Sequence, residues 1–260
     1  MSSNYFNNTR ALITGGLGNI GYDIAKSLAE IGCNLDLLDK ESDEDNKIQF
    51  LKTTYGIDVK LLKYDLLKEK SFSQIKNYYS KKEINLDFIV NNAAFYDETP
   101  GWGVDFENEG YEAWIKVMKV NLLAPFFLCQ SLERILNKSK KASIVNISSI
   151  YGSVAPDFSI YQGTKMNNPA AYGASKGGLI QLTKWLSARL APRVRVNCIS
   201  PGGVERNQPQ IFKKRYMNKL LLKRMANESD VSNAVKFLLS DQSTYITGQN
   251  MNVEGGFLTL

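Results

Sequence analysis

The sequence predicts an α/β fold: a doubly wound, seven-stranded parallel sheet in a three-layer αβα arrangement, formed as a single domain over residues 1–260. Three observations carry this. Seven strand-length apolar runs alternate with segments of helical periodicity, the pattern of βαβ units that cover both faces of a parallel sheet. A glycine-rich turn separates the first run from the first helical segment. No repeat, linker or low-complexity tract divides the 260 residues, a length that α/β folds reach as one unit.

The first strand is read at Ala11-Leu-Ile-Thr14. After the glycine turn, Ile20, Ile24, Leu28 and Ile31 recur at helical spacing, and Gly32 follows as a C-terminal cap. The second and third strands are Leu35-Asp-Leu-Leu38 and Val59-Lys-Leu-Leu62. The fourth, Asp87-Phe-Ile-Val90, runs into Asn91-Asn-Ala-Ala94 and then a long stretch, Phe95 to Tyr111, holding Trp102 and the acids Asp97, Glu98, Asp105, Glu107 and Glu109. Gly110 to Asn137 reads as one long helix, with little polar relief between Val120 and Leu128. Ser143-Ile-Val-Asn-Ile147 is the fifth strand, Ala170 to Leu190 a second long helix, Val194 to Ile199 the sixth strand and Asn250-Met-Asn-Val253 the seventh. Long apolar helices pack deep or meet a second subunit, and a homo-oligomer, dimer or tetramer, is expected.

Composition excludes several chemistries. Hydrophobic residues at 43% and charged residues at 22% match soluble globular averages, and no apolar run suggests a membrane span. The opening MSSNYFNNTRALITGG lacks the apolar core of a secretory signal, so a cytoplasmic protein is expected. The net charge of +6 is spread along the chain without an arginine-rich tract, which argues against nucleic-acid binding. Cys33, Cys129 and Cys198 have no metal-ligand spacing and there is no histidine, so no metal site is expected and no imidazole base is available. Proton transfer falls to Tyr, Lys, Asp, Glu or water.

The turn Thr14-Gly-Gly-Leu-Gly-Asn-Ile-Gly21 places glycines at 15, 18 and 21 between a strand and a helix. They allow a tight turn, close approach of a pyrophosphate and close packing of a helix whose first amides face the phosphates. Asp39 ends the second strand 24 residues after Gly15, where a carboxylate takes ribose hydroxyls and repels a 2′-phosphate. The turn also lacks an Arg or Lys for that phosphate, so NAD is favoured over NADP, with Lys40 beside Asp39 as the opposing signal. Asp65, after the third strand, is placed either to contact adenine or simply to make a turn.

In this order the motifs are the glycine turn, Asn91-Asn-Ala-Ala94, Asn121 in Lys-Val-Asn-Leu-Leu, Asn146-Ile-Ser-Ser149, Tyr172…Lys176 and Arg195-Val-Asn-Cys-Ile-Ser-Pro-Gly202. Over essentially its whole length the chain thus resembles the short-chain dehydrogenase/reductase family, with its Rossmann-type fold. The resemblance implies a hydride transfer in which Tyr172 exchanges a proton with the substrate oxygen and Ser149 hydrogen-bonds that oxygen. A tyrosine with its ordinary pKa of about 10 is a weak base at neutral pH. A cation one helical turn away, Lys176, stabilises the phenolate. Asn121 is implied to hold a water that links Lys176 to solvent. The implied cofactor contacts are Gly15, Gly18, Asn19, Ile20, Gly21, Asp39, Asp65, Leu66, Asn92, Ala93, Tyr172, Lys176, Pro201, Gly202 and Val204.

The pattern YxxxK occurs twice, as Tyr161…Lys165 and Tyr172…Lys176. Tyr161 lies 12 residues after Ser149, close to the family separation, and Tyr172 lies 23 after it. Helix continuity decides for Tyr172: Pro169 stops any helix begun at Tyr161, whereas an unbroken helical stretch follows Lys176. Tyr161 and Lys165 then sit in an insertion of about ten residues beside the substrate. The chain departs from the family at three places. The glycine turn reads TGxxGxxG, the form seen in the longer, sugar-nucleotide-modifying branch, with Asn19 where the shorter branch has glycine, tolerated because Asn can adopt left-handed backbone. Arg206 stands where a threonine often touches the nicotinamide amide. The 95–111 stretch is longer than usual.

Substrate contacts are expected from Ser149, Tyr161, Tyr172 and Arg206. Seven basic residues and no acid lie between Arg206 and Arg224, the segment that forms a lid in this family. Such a lid suits a phosphorylated or nucleotide-linked substrate, or is simply a solvated face. The insertion, Pro201 to Pro209 and Tyr245 to Asn250 are similar to oxidoreductases of bacterial flagellin-glycosylation and nonulosonic-acid pathways, which implies a sugar-type substrate. A nucleotide-sugar epimerase or dehydratase with a recycled cofactor, and a non-catalytic cofactor sensor, are the alternatives.

Overall fold

All seven predicted runs form strands in the computed structural model, which describes residues 5–96 and 104–259. They are β1 (Arg10–Thr14), β2 (Asn34–Asp39), β3 (Val59–Lys63), β4 (Phe88–Asn91), β5 (Ser143–Ile147), β6 (Arg195–Pro201) and β7 (Asn250–Val253). Every pairing is parallel, in the order β3-β2-β1-β4-β5-β6-β7. β4 and β5 are buried along their whole length, as strands covered on both faces must be. The order reverses between β1 and β4, with Ile13 paired to Leu37 of β2 on one side and Val90 of β4 on the other. The crevice beyond the carboxyl ends of β1 and β4 is where open α/β sheets bind ligands.

The helices are α1 (Asn19–Ala29), α2 (Lys47–Tyr55), α3 (Lys70–Lys81), α4 (Tyr111–Met118), α5 (Ala124–Leu136), α6 (Ala170–Leu190), α7 (Gln210–Asn218) and α8 (Glu228–Leu239). α1, α2 and α8 bury Ile24, Leu28, Leu51, Val231 and Leu238 against one face of the sheet. α3, α5 and α6 bury Ile75, Leu128, Leu132 and Leu186 against the other. A third cluster, with Ile150, Tyr161, Met166, Phe212 and Tyr216, joins α7 to the segment before α6. The three cysteines are buried free thiols, Cys33 in the first core, Cys129 in the second and Cys198 on β6.

Two expectations are refined. Gly32 adopts φ +82° and is the left-handed residue of a Schellman motif: its amide bonds Ala29 O and the Cys33 amide bonds Leu28 O. The expected single helix from Gly110 to Asn137 is instead α4, one widened turn of π-helix at Lys119–Leu123, and α5. The stretch Tyr111–Leu136 is long and apolar enough to cross a membrane, against the expectation from composition. Its Leu128, Cys129, Leu132 and Leu136 face is packed into the sheet, the place of a core helix. Asp97, Glu98 and Trp102 of the acidic stretch lie outside the described residues.

Candidate active site

The glycine turn is built for close backbone approach. Gly15 adopts φ +62°, and a Cβ on Gly21 would stand 2.1 Å from Gly15 O. Asn92 clamps the turn, its Nδ2 donating to Thr14 O (3.0 Å) and Gly15 O (3.2 Å), while Thr14 Oγ1 accepts from the Asn92 and Ala93 amides. Gly18 begins α1 with no side-chain cap, and the first turn holds no acid, so the first amides of the helix stay available to an anion. Asn19 is the first residue of α1 and is not in the left-handed region, so the tolerance expected of it is not needed; Gly15 supplies the positive φ.

Asp39 is held at the end of β2, its Oδ2 accepting from the Leu17 amide (3.1 Å) and its Oδ1 from Glu41 N (3.2 Å). Asp65 is a turn residue, Oδ1 accepting from the Leu67 amide (2.9 Å). It also borders the same cleft, as do Gly15, Gly18, Asn19, Ile20, Gly21, Asp39, Leu66, Asn92 and Ala93. A groove with a glycine cradle, an uncapped helix start and a strand-end carboxylate fits a dinucleotide.

A second cavity adjoins it. Ile20, Asn92, Ala94 and Arg206 line both, and Ser149, Tyr161, Tyr172, Lys176, Pro201, Gly202 and Val204 line the second. Tyr172 and Lys176 lie one turn apart on α6, which starts directly after Pro169. Tyr161 instead closes a short 3-10 turn, Phe158–Tyr161, and Lys165 is exposed outside any helix. Gly152 lets the turn after Ser149 press onto α6: a Cβ there would stand 2.7 Å from the Lys176 carbonyl carbon. Glu109, from the acidic stretch, caps α6 by accepting from the Ala170 amide at 2.9 Å, a favourable position for a carboxylate.

Burial sets the proton chemistry. The Tyr172 phenol is pushed above its usual range by desolvation, and its hydrogen bond with Ser149 pulls the other way. The Tyr96 ring packs against it, centroids 4.7 Å apart. Lys176 is 2% exposed, and desolvation lowers its ammonium to about 8. Its Nζ donates to Ile147 O at 2.7 Å and lies 5.6 Å from the Tyr172 ring centroid. Asn121 sits in the π-turn with both amide donors engaged: Nδ2 donates to Phe95 O (2.9 Å) and Ser175 Oγ (3.0 Å), and Oδ1 accepts from Phe95 N (2.8 Å). A water held by this side chain has only the second lone pair of Oδ1 to bind.

Arg206 borders both cavities and pairs with Glu228 on α8 at 2.8 Å. The other lid cations line neither cavity: Lys213 pairs with Glu205, Lys219 with Asp157 and Arg224 with Asp230, while Arg215 bonds Gln162 O. Sequence reasoning missed Tyr96, Tyr151, Asn168, Gln208, Phe212 and Tyr216 in the cavity wall. Only the position of Tyr151, two residues after Ser149, offered a signal for any of them.

Residues 16–258 match the family model described as enoyl-(acyl carrier protein) reductase. The chain belongs to the short-chain dehydrogenase/reductase family. The 3-oxoacyl-[acyl-carrier-protein] reductase FabG of Chlamydia trachomatis is 30% identical over 256 residues, covering 96% of this chain and 97% of that protein. Post-translational flagellin modification protein A of Campylobacter coli is 28% identical over 251 residues, covering 94% and 96%. The crystal structure of a short chain dehydrogenase from Leptospira borgpetersenii with bound NAD+ superposes with a TM-score of 0.85 at 35% identity, covering 98% of this chain and 94% of that one. As a short-chain dehydrogenase/reductase the protein is an oxidoreductase, and its seven parallel strands are that family's sheet.

Proposed function

We propose that this short-chain dehydrogenase/reductase transfers a hydride between NAD(H) and a hydroxyl or ketone of a compact, sugar-type substrate, with Tyr172 as the acid/base. One observation carries the proposal: Ser149, Tyr172 and Lys176 share a cavity that adjoins the cleft lined by the glycine turn and Asp39. NAD(H), when bound, supplies the hydride acceptor or donor. Gly15, Gly18 and the start of α1 would hold its phosphates, Asp39 its ribose hydroxyls, and Lys176, Pro201, Gly202 and Val204 its nicotinamide end. Asp39 favours NAD, because a 2′-phosphate there would face a carboxylate.

In the reducing direction Tyr172 gives its proton to the substrate oxygen while Ser149 hydrogen-bonds that oxygen. The Lys176 cation stabilises the phenolate left behind. In the oxidising direction the same phenolate takes the hydroxyl proton. The cavity wall favours an uncharged substrate: apart from Lys176, Arg206 is the only lining cation among the described residues, and it is paired with Glu228. A phosphorylated or nucleotide-linked substrate loses support accordingly, since Lys213, Lys219 and Arg224 are paired elsewhere. The similarity to FabG keeps a 3-oxoacyl thioester as the second reading. We also propose a cytoplasmic enzyme, and a dimer or tetramer; the assembly is supported by Leu123, Phe127 and Trp185, which stay exposed on or beside α5 and α6.

The test is NADH formation or consumption against neutral sugars and polyols, sugar phosphates, nucleotide sugars and acetoacetyl thioesters. Removing a general acid/base costs about 10²–10⁴-fold. Tyr172→Phe is expected to lower kcat by that factor with NAD+ affinity retained, and Tyr161→Phe to act mainly on KM. A dead Tyr161→Phe with an active Tyr172→Phe overturns the assignment; turnover confined to thioesters selects the second reading.

A further inference from the structure

The cavity holds polar groups that the proton chemistry at Tyr172 does not use. Tyr151, Tyr161 and Asn168 line it together with Ser149 and Tyr172. Asn168 Nδ2 lies 3.5 Å from the Tyr161 hydroxyl, which lies 2.9 Å from the Tyr151 hydroxyl. An amide nitrogen can only donate. Tyr161 therefore accepts from Asn168 and passes its own proton to Tyr151, and the proton of Tyr151 is left with no acceptor among the described residues. At the other end of the chain Asn168 Oδ1 is buried without a partner, in a side chain only 5% exposed. Buried polar groups in folded proteins are almost always paired, and an unpaired one in a cavity wall is paired by what enters. Burial holds both phenols above their usual range, so each keeps its proton at any working pH.

We infer that Tyr151 and Asn168, coupled through Tyr161, form a second polar subsite that takes a substrate hydroxyl next to the carbon oxidised or reduced at Tyr172. The enzyme then selects vicinal diols and α-hydroxy ketones over their deoxy analogues. A hydroxyl accepts the proton that Tyr151 offers, and a hydroxyl donor at the Asn168 end satisfies Oδ1, whereas a methylene does neither. Chain position keeps the subsite close to the reacting carbon, because Tyr151 is two residues after Ser149 and Asn168 four before Tyr172. Tyr161 is a positioning residue in this arrangement. The inference rests on the hydride-transfer reading, and it adds the feature by which the substrate is chosen.

Two measurements separate the inference from that reading. The first compares kcat/KM for NADH-dependent reduction of 2-hydroxycyclohexanone and cyclohexanone. The second compares calorimetric binding of 1,2-cyclohexanediol and cyclohexanol to the NAD+-loaded protein. A site built to hydrogen-bond a hydroxyl rejects the analogue lacking it by factors reaching about 10⁴. We expect a preference of at least about 100-fold for the hydroxylated ketone, cut at least about tenfold by Tyr151→Phe and by Asn168→Leu. Tyr161→Phe is expected to make a smaller cut, seen in KM and not in kcat. NAD+ affinity, measured for each variant, reports whether it is folded, and either folded variant suffices. A wild-type preference near unity, or one that survives in a folded variant, overturns the inference. If neither ketone turns over while diol binding remains dependent on Tyr151 and Asn168, the subsite stands and the hydride-transfer reading falls. Absence of both turnover and preferential binding removes both.

Discussion

At the residue scale, the decisive contrast is between two tyrosines that share a sequence pattern. Tyr172 has Lys176 one turn below it on α6, while Lys165 is exposed and outside any helix. Pro169 makes this legible, because it ends one structure and begins the other. The same burial that makes Lys176 useful brings its ammonium down to about 8. Ketone reduction uses the cation, which is complete well below that value and is lost as pH rises through it. The kcat/KM of reduction should therefore be flat toward neutral pH and fall above about 8. Replacing Lys176 by Arg should remove that limb, and a limb that stays put assigns it to another group. What could not be read from sequence at this scale were Tyr151 and Asn168, which are joined only through Tyr161 of an aperiodic insertion. The engagement of Asn121 with Phe95 and Ser175 was equally hidden, since its partners come from other elements.

Elements repeat the lesson in a different form. The seven strands were legible as short apolar runs set between helical segments, fully buried in β4 and β5 and interrupted by polar residues in β2, β3 and β7, and the observed ends differ from the expected ones by at most two residues. The π-turn at Lys119–Leu123 was not, because its residues continue the apolar pattern of α4 and α5 and one extra residue per turn leaves no mark in composition. The glycine turn was legible in purpose as well as place. Gly21→Ala sets a methyl group 2.1 Å from a backbone carbonyl and 2.7 Å from Asn92 Nδ2, so the start of α1 must shift. Overpacking of this kind costs about 1–3 kcal/mol. We expect the variant to melt earlier and to bind NAD+ at least about tenfold more weakly, measured by calorimetry; wild-type affinity would mean that the turn does not carry the phosphates.

For the whole molecule, the sheet order places β1 and β4 side by side and so brings the glycine turn that follows β1 to the centre of the site. The outer faces of α5 and α6 keep Phe127 39% and Trp185 53% exposed, with Phe126 and Trp185 ring centroids 6.1 Å apart. An apolar surface of this kind is expected to be covered by another copy. Sedimentation equilibrium should give a dimer or tetramer, and Phe127→Lys with Trp185→Lys should shift it toward smaller species; a wild-type monomer removes the assembly from the proposal.

The placement of the three thiols has a practical outcome. Cys33 and Cys129 lie on opposite faces of the sheet and Cys198 within it, and burial holds the first two near 12 and the third near 11. Thiolate is the reactive form, so maleimides and peroxide should leave the folded enzyme untouched. Each cysteine becomes a clock for the opening of its own layer. Mass spectrometry of the chain under slow native-state alkylation would rank the two helical layers by how often they part from the sheet, with no substitution introduced.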